Sequence, residues 1–454
     1  MSTEAPEAPV AAVAPLAPLA DRLNDSPDFA RVADSLLAGH GGTLGGVWGA
    51  SRALTAAALA RRASGPLVVV LPHLSDVDAF AADLAGFLPA ESIARFPAWQ
   101  NEAAERVVHD DAFGARLRAM KSLMSAEADS TPRVLVSCIQ ALLQPTPTPD
   151  AIREATRRVA AGDTLDVDEL CAWLVEHGCH RTTAVELPGE VAVRGGIVDL
   201  FAPEAERPVR IELFGDEVES LREFDSGTQR SVRTLAETSV TMLDPTRPGR
   251  AHFTAHLAGP VGEAAWFALV EPGDVEEEGR FFHERATDPA SLHSVKTTLA
   301  EVFRYPSVTM AGVPAGSLEE TGHLAFESVE RLSGDLAKLA EELESIGKGQ
   351  RAVVVCPTDA DVERLGEVLG KSALAKEGRL DLVRGTLSAG FRFVAEKTLV
   401  LSSAELLGGR GRAGAVAQRG RAITGRAIDS FLELREGDLV VHVAHGIGRY
   451  RGMR

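Results

Sequence analysis

The stretch "GGVWGASRAL", residues 45–54, decides how the first part of this chain is read. Gly46 and Gly49 stand three apart, and a helix-forming run follows at once. That is the layout of a phosphate-binding loop, in which backbone N–H groups at a helix N-terminus cradle phosphate oxygens. A working loop ends in Gly-Lys-Ser/Thr, with the lysine reaching the outer phosphates and the hydroxyl holding Mg²⁺. Here those places hold Ser51, Arg52 and Ala53. Ser51 replaces a glycine that lets the backbone approach phosphate. Arg52 keeps a charge, but as a longer planar fork that is not equivalent to lysine. Ala53 has no hydroxyl for Mg²⁺. The helix start keeps only a weak attraction for anions. Two readings stand: a nucleotide site that no longer binds ATP, or a glycine-rich turn that never did.

The surroundings of this loop alternate strand and helix. "PLVVVLP" (66–72) is a continuous apolar run, as expected of a parallel strand covered on both faces. "SDVDAFAADLAGFL" (75–88) has helical periodicity, "AFGARLRAMKSLM" is a further helical stretch, and "RVLVSC" (133–138) is another strand. This pattern predicts a doubly wound α/β sheet. "QPTPTPD" (144–150) ends it with proline punctuation. Residues 1–29, rich in Ala and Pro, read as a disordered tail: the segment lacks a basic start, carries Glu4 and Glu7, and prolines break its apolar run.

The next segment has a different rhythm. "DVDELCAWLVEHG" (166–178) is a helix stopped by Gly178, and strand signals then come close together. Gly195-Gly196 separates two β-rich runs, as in a tight hairpin. Val209, Ile211 and Leu213 alternate with Arg210 and Glu212. Residues 148–243 therefore read as a small α+β domain inserted into an α/β domain whose two parts span 30–147 and 244–325. Residues 326–406, opening on an amphipathic helix and containing "RAVVVCP" (351–357), read as a second small α/β domain. Residues 407–430, with arginines at 410, 412, 419, 421 and 426 and no acid up to Arg426, read as a flexible linker or a nonspecific contact for DNA phosphate. Residues 431–454 begin a new β-rich element with one hairpin's worth of chain, which predicts that the sequence is truncated there.

The chain has 454 residues and a net charge of −18, so contact with nucleic acid requires a local basic patch. No apolar run is long enough for a membrane span. Cys138, Cys171, Cys179 and Cys356 form no CxxC pair, which points to reduced thiols in a cytoplasmic protein. Cys179-His180 near Cys171 has no second ligand pair at zinc spacing, and no metal is expected. His442 and His445 sit at a strand turn and read as turn residues. Cys138 reads as core packing.

Two strings carry a family resemblance. "EVAVRGGIVDLFAPEAERPVRIELFGDEVESLREFDSGTQRS" (190–231) and "GDLVVHVAHGIGRYRGM" (437–453) resemble the N-terminal, UvrB-like part of the bacterial transcription-repair coupling factors and the start of their RNA-polymerase-interacting domain. The resemblance covers residues 30–454, more by pattern than by motif over 326–406. It implies a degenerate P-loop-NTPase-like domain. "WFALVEP" (266–272) then stands where a motor ends a buried strand in Asp-Glu; Val270 takes the Asp place and leaves Glu271 alone. The alternative is a chance apolar strand. The resemblance further implies no cofactor in this chain, with ATP and Mg²⁺ confined to motor domains outside it. Its implied partners are UvrA, the RNA polymerase β subunit, and double-stranded DNA held mainly by other domains. Arg181 and Arg194 match the basic residues through which the UvrB domain contacts UvrA. Thirteen residues apart across a strand pair, they are expected on one face; the alternative is salt bridges to Glu186 or Glu190.

The expected function is recruitment of UvrA in transcription-coupled nucleotide excision repair, without catalysis by this chain. A competing expectation is a UvrB-like ATP-dependent damaged-DNA-binding protein. That protein needs an aromatic hairpin to insert between DNA strands, and "FPAWQNEAAERVVHDDAFG" (96–114) has no tyrosine.

Overall fold

The computed structural model describes residues 14–125, 131–259, 261–313, 320–329 and 338–406, and the backbone of 439–442 and 446–449. The first four strands are β1 (Gly42–Gly45), β2 (Leu67–Leu71), β3 (Ile93–Phe96) and β4 (Val134–Cys138). Helices α1 (Ala17–Leu23), α2 (Pro27–Leu37), α3 (Ser51–Arg62), α4 (Val77–Leu84) and α5 (Asp111–Met124) lie among them. The chain then forms β5 (Thr156–Ala160), β6 (His180–Arg181), β7 (Glu190–Arg194), β8 (Ile197–Phe201), β9 (Val209–Phe214), β10 (Glu217–Phe224), β11 (Ser231–Leu235) and β12 (Glu237–Thr241). Strands β13 (Trp266–Val270), β14 (Ser307–Ala311) and β15 (Glu320–His323) follow. They return to the first sheet, a parallel seven-stranded one in the order β15-β1-β14-β13-β2-β4-β3. A mixed α/β architecture with a parallel sheet is thus established.

Sequence chemistry explains this core. All five residues of β2 are buried, as are all five of β13, because helices cover both faces of the sheet. Helix α3, "SRALTAAALARR", is buried from Ala53 through Ala60. Alanine has the best helix propensity and lets the helix lie close to the sheet. Arg61 and Arg62 in its last turn interact favourably with the negative end of the helix dipole.

The disordered tail expected over residues 1–29 is corrected from residue 14 onward. Leu16, Leu19, Ala20 and Leu23 have the spacing of one helical face and are buried in the main core. Pro18 sits in the first turn of α1, where its missing N–H loses no bond. The proline read as a breaker starts the helix instead. Burying each leucine contributes about 1.5–3 kcal/mol, enough to hold a short helix that would not form alone. Residues 1–13 lie outside the described residues.

The central segment builds a six-stranded sheet in the order β11-β10-β9-β8-β7-β6, with β5 and β12 paired separately. The β7–β8 hairpin turns at Gly195-Gly196, pairing Arg194 with Ile197. One face packs Val191, Val198, Leu200, Val209, Ile211 and Leu221 against Leu170 and Leu174 of the helix Val167–Glu176. The other face packs Ala192, Phe201 and Phe224 with Val185, and is exposed at Arg194, Ile197 and Phe214.

The last described sheet runs β16-β19-β20-β17-β18, from β16 (Phe326–Glu327), β17 (Arg351–Cys356), β18 (Leu380–Arg384), β19 (Phe391–Phe393) and β20 (Thr398–Ser402). Along β17, Val353 and Val355 join the core of the first sheet, while Ala352, Val354 and Cys356 face a separate core with Leu339, Leu343 and Leu365. Strand alternation thus fuses the two units through one apolar layer. Of the amphipathic helix expected from residue 326 onward, Leu339–Ile346 is seen, and 330–337 lie outside the described residues. The arginine-rich stretch also lies outside them. Strands β21 (Leu439–His442) and β22 (Gly446–Arg449) pair as an antiparallel hairpin, and His445 lies outside the described residues.

Candidate functional site

Most N–H groups of the loop after β1 are already engaged. Gly46 N donates to Gly312 O at 3.1 Å and Val47 N to Ala311 O at 3.3 Å. Trp48 N donates to Ser51 Oγ at 2.9 Å, and the Ser51 hydroxyl donates back to Trp48 O at 2.6 Å. Ala50 N donates to Ala389 O at 3.3 Å, Ser51 N to Trp48 O at 3.0 Å and Arg52 N to Gly49 O at 3.3 Å. Phosphate cradling needs several of these donors free and convergent. Ser51 therefore does more than replace a glycine: its hydroxyl fills the role a phosphate oxygen would play.

Arg52 and Glu271, the changed residues of two distant strings, meet. The Arg52 guanidinium forms an ion pair with Glu271 Oε1, with the side chains 23% and 26% exposed. The same Oε1 accepts from Gly312 N at 3.1 Å. Glu271 adopts a left-handed conformation, φ 49°, at the start of the helix Pro272–Arg285. A part-buried pair of this kind contributes on the order of 1 kcal/mol. The cation that would meet phosphate and the acid that would handle Mg²⁺ or water thus neutralise each other. Val270, in the expected Asp place, is a buried strand residue, and Ala53 is fully buried. From above, Ala389 and Gly390 lie against Gly49. The described residues contain no group of three or more His, Cys, Asp and Glu that could hold a metal.

Installing the missing residues is not expected to recover nucleotide binding. A Ser51→Gly/Arg52→Lys/Ala53→Thr variant still has its loop donors bonded to residues 311, 312 and 389. The threonine also overpacks the core at a cost of about 1–3 kcal/mol. Titration with labelled ATP and Mg²⁺ should show no saturable binding; a micromolar Kd dependent on Mg²⁺ contradicts this account.

Residues 96–114 contain no hairpin. Between β3 and α5 the described elements are irregular chain and a short 3-10 turn, Ala103–Glu105. Trp99 is buried, with its N–H donating to Gln144 Oε1 at 2.8 Å and its carbonyl accepting from Gln144 Nε2 at 2.9 Å. Its ring stacks with Phe113 at 5.9 Å and lies under the Arg106 guanidinium at 4.6 Å. These aromatics belong to the core, so they cannot wedge between DNA strands.

The partly exposed face of the six-stranded sheet is the second candidate. Arg194 is exposed, and its guanidinium donates to Thr183 O. Register puts Arg194, Ile197, Glu212 and Ser220 in one row across β7 to β10. The adjoining row contains Asp199, Arg210 and Arg222. Arg210 bonds Asp199 with two nitrogens, at 2.7 and 2.8 Å, and its guanidinium stands 4.7 Å from the centre of the Phe224 ring. Arg222 pairs with Glu212 at 3.2 Å. Phe214, at the β9 end, is 81% exposed.

Arg181 does not share this face. It pairs in parallel register with Val191, whose side chain enters the helix-side core, whereas Arg194 is an odd number of residues further on. The expectation of one shared face is corrected by that register. The alternative salt bridges are not formed among the described residues. Glu190 instead accepts from the N–H groups of Glu186 and Leu187 at 2.8 and 2.9 Å. Sequence reading missed Asp199, Phe214 and Arg222 here. Their signal was present, because Phe214 continues the Arg210, Glu212 alternation onto the outer face.

The four cysteines are free and buried. Burial pushes the Cys138 thiol up to about 11 and Cys179 up to about 12, so neither is a nucleophile near neutral pH. Among the described residues no helix is long and apolar enough to cross a membrane.

A sheet with an arginine-bearing face, beside a loop without a phosphate cradle, has the features of an interaction surface rather than of a nucleotide site. The UvrB interaction domain family matches residues 158–243, and the CarD-like/TRCF RID domain family matches residues 434–454. The chain is 24% identical to the transcription-repair-coupling factor of Bacillus subtilis, over 95% of this chain and 44% of that protein. It is 28% identical to the factor of Mycobacterium bovis, over 88% and 40%, and 27% to that of Myxococcus xanthus, over 94% and 43%. Over most of its length the chain is thus similar to about two-fifths of these transcription-repair-coupling factors, and its last residues are similar to the TRCF RID domain. The chain spans about two-fifths of the length of the curated relatives it matches. A solved XPD helicase chain aligns at 8% identity with a TM-score of 0.22, over 82% of this chain and 80% of that one.

Proposed function

We propose that this chain is a non-catalytic recruitment module of transcription-coupled nucleotide excision repair. Its six-stranded sheet captures UvrA, and the segment from residue 431 belongs to a domain that engages the RNA polymerase β subunit. The observation that carries this is the match of residues 158–243 to the UvrB interaction domain. The exposed Arg194 on the outer sheet face supports it. Arginine at such a face suits bidentate pairing with partner carboxylates. Arg181, on the edge strand β6, is the second proposed contact. In this reading residues 30–147 and 244–325 are a degenerate P-loop-NTPase-like domain, with 148–243 inserted and 326–406 as a second small α/β domain. ATP, Mg²⁺, DNA translocation, removal of stalled polymerase and the main grip on double-stranded DNA belong to the complete factor. The place of action is the cytoplasm. The competing ATP-dependent damaged-DNA-binding reading loses support from the engaged loop donors and the buried Trp99.

Capture of purified UvrA tests the proposal. Arg194→Glu should weaken capture at least tenfold, the loss of one well-placed charged contact. Arg181→Glu, at the edge and on the other side of the strand, should weaken it less. Equal capture by wild type and Arg194→Glu would remove that residue from the interface.

A further inference from the structure

Asp83 lies in α4 and is 4% exposed. Its partner comes from the other α/β unit. Ser388 N donates to Oδ1 at 2.6 Å, and the Ser388 hydroxyl bonds Oδ2. Ser388 belongs to the 385–390 connection between β18 and β19. The next two residues of that connection cover the β1–α3 loop: Ala389 O accepts from Ala50 N, and Gly390 O lies against Gly49. From the other side Glu405 grips the same connection, accepting from Gly390 N with both oxygens at 3.0 Å and from Ser402 N at 2.9 Å. Two carboxylates, one from each unit, therefore hold one short loop.

Among the described residues no cation pairs with Asp83. Helix α3, packed on α4, carries Arg52, Arg61 and Arg62, which pair with Glu271, Asp21 and Asp34. Strand β3 carries Arg95, which pairs with Asp78 of α4 itself. Strand β4 carries no charged residue, and Asp76 precedes the helix as a further acid. Burial, opposed by the two bonds from Ser388 and aided by the nearby Glu405 charge, pushes Asp83 up to about 7.

We infer that the Asp83–Ser388 contact is a proton-linked clasp, which holds the 385–390 loop on the β1–α3 loop while Asp83 is protonated and releases it on ionisation. Protonated Asp83 can donate its O–H to Ser388 Oγ while Oδ1 still accepts from Ser388 N, so every polar group stays satisfied. The ionised form is a buried charge without a counter-ion, facing another carboxylate. The closed form has its midpoint above the ordinary 3.8, so it holds a proton that the open, hydrated form gives up. Closure is therefore strongest at low pH and weakens as pH rises from about 4 to about 7. This device is independent of the proposed capture of UvrA.

Amide hydrogen exchange on the whole chain at pH 6 and pH 8.5, corrected for intrinsic exchange, tests it. In the wild type the Ala50 and Ser388 amides should lose protection about tenfold between the two conditions, the change expected for a midpoint moving from 7 to 3.8 on opening. Asp83→Asn keeps an acceptor for Ser388 N and a donor for Ser388 Oγ, so its protection should be flat. Constant protection in the wild type, or the same tenfold loss in Asp83→Asn, overturns the clasp. Carboxyl-carbon NMR of the wild-type chain tests it without a variant: an Asp83 midpoint near 7 supports the clasp, and one near 4 overturns it.

Discussion

Arg210→Ala is expected to lower the stability of the six-stranded sheet by about 2–4 kcal/mol, because it removes the partner of a carboxylate that is itself buried. Asp199 is 3% exposed and receives two hydrogen bonds from the Arg210 guanidinium, at 2.7 and 2.8 Å. Alanine leaves that carboxylate buried with its two donors gone. It also uncovers Phe224, whose fully buried ring lies beneath the guanidinium. Single domains have only about 5–15 kcal/mol of stability, so the loss approaches the lower end of what the domain holds. Urea unfolding read by hydrogen exchange at the amides of β8 and β9 measures it locally. The double variant Asp199→Leu/Arg210→Met should recover most of the loss, because it removes both charges and keeps the volume. A change under about 1 kcal/mol in Arg210→Ala would mean that Asp199 finds water or another donor. Capture of UvrA should fall with the sheet, although Arg210 is not a proposed contact, so it should return in the double variant.

Gly46→Ala should destabilise the first α/β unit by about 2–5 kcal/mol, combining left-handed backbone strain with a clash. Gly46 has φ +75°, and an added Cβ would stand 2.2 Å from Leu324 O and 2.7 Å from the His323 ring. A backbone carbonyl in a sheet-end connection cannot swing away as a side chain can. The midpoint of denaturant unfolding measures the loss, which should be the same with and without ATP and Mg²⁺. A near-neutral effect would show that the turn tolerates a side chain, and a loss appearing only with nucleotide would restore a phosphate role. The glycine is thus explained by close approach of two strands' ends, with no phosphate required.

Much of the fold was legible because it is written in short-range patterns. "PLVVVLP" reads as a doubly covered strand because both faces are apolar, and Val209, Ile211 and Leu213 read as a half-buried strand because alternate residues are polar. The misread tail shows the limit of composition. Pro15 and Pro18 looked like breakers, yet Leu16, Leu19 and Leu23 find a core to bury in, and burial outweighs local propensity. The Arg181 and Arg194 expectation failed on parity. Counting residues along the chain could not reveal that β6 pairs in parallel with β7, and a shift of one residue flips the face.

By itself the sequence determined which groups the chain lacks: a lysine at position 52, a hydroxyl at 53, an acid at 270. Those are local chemical facts and need no coordinates. Tertiary structure alone decided what replaced them. Arg52 and Glu271 are 219 positions apart and neutralise each other because β1 and β13 both flank β14, which brings their C-terminal ends together. Asp83 and Ser388, 305 positions apart, meet because one face of β17 joins the first core. Ion pairs and buried hydrogen bonds act over a few ångströms of space, and only the packing of sheets sets which distant residues come that close.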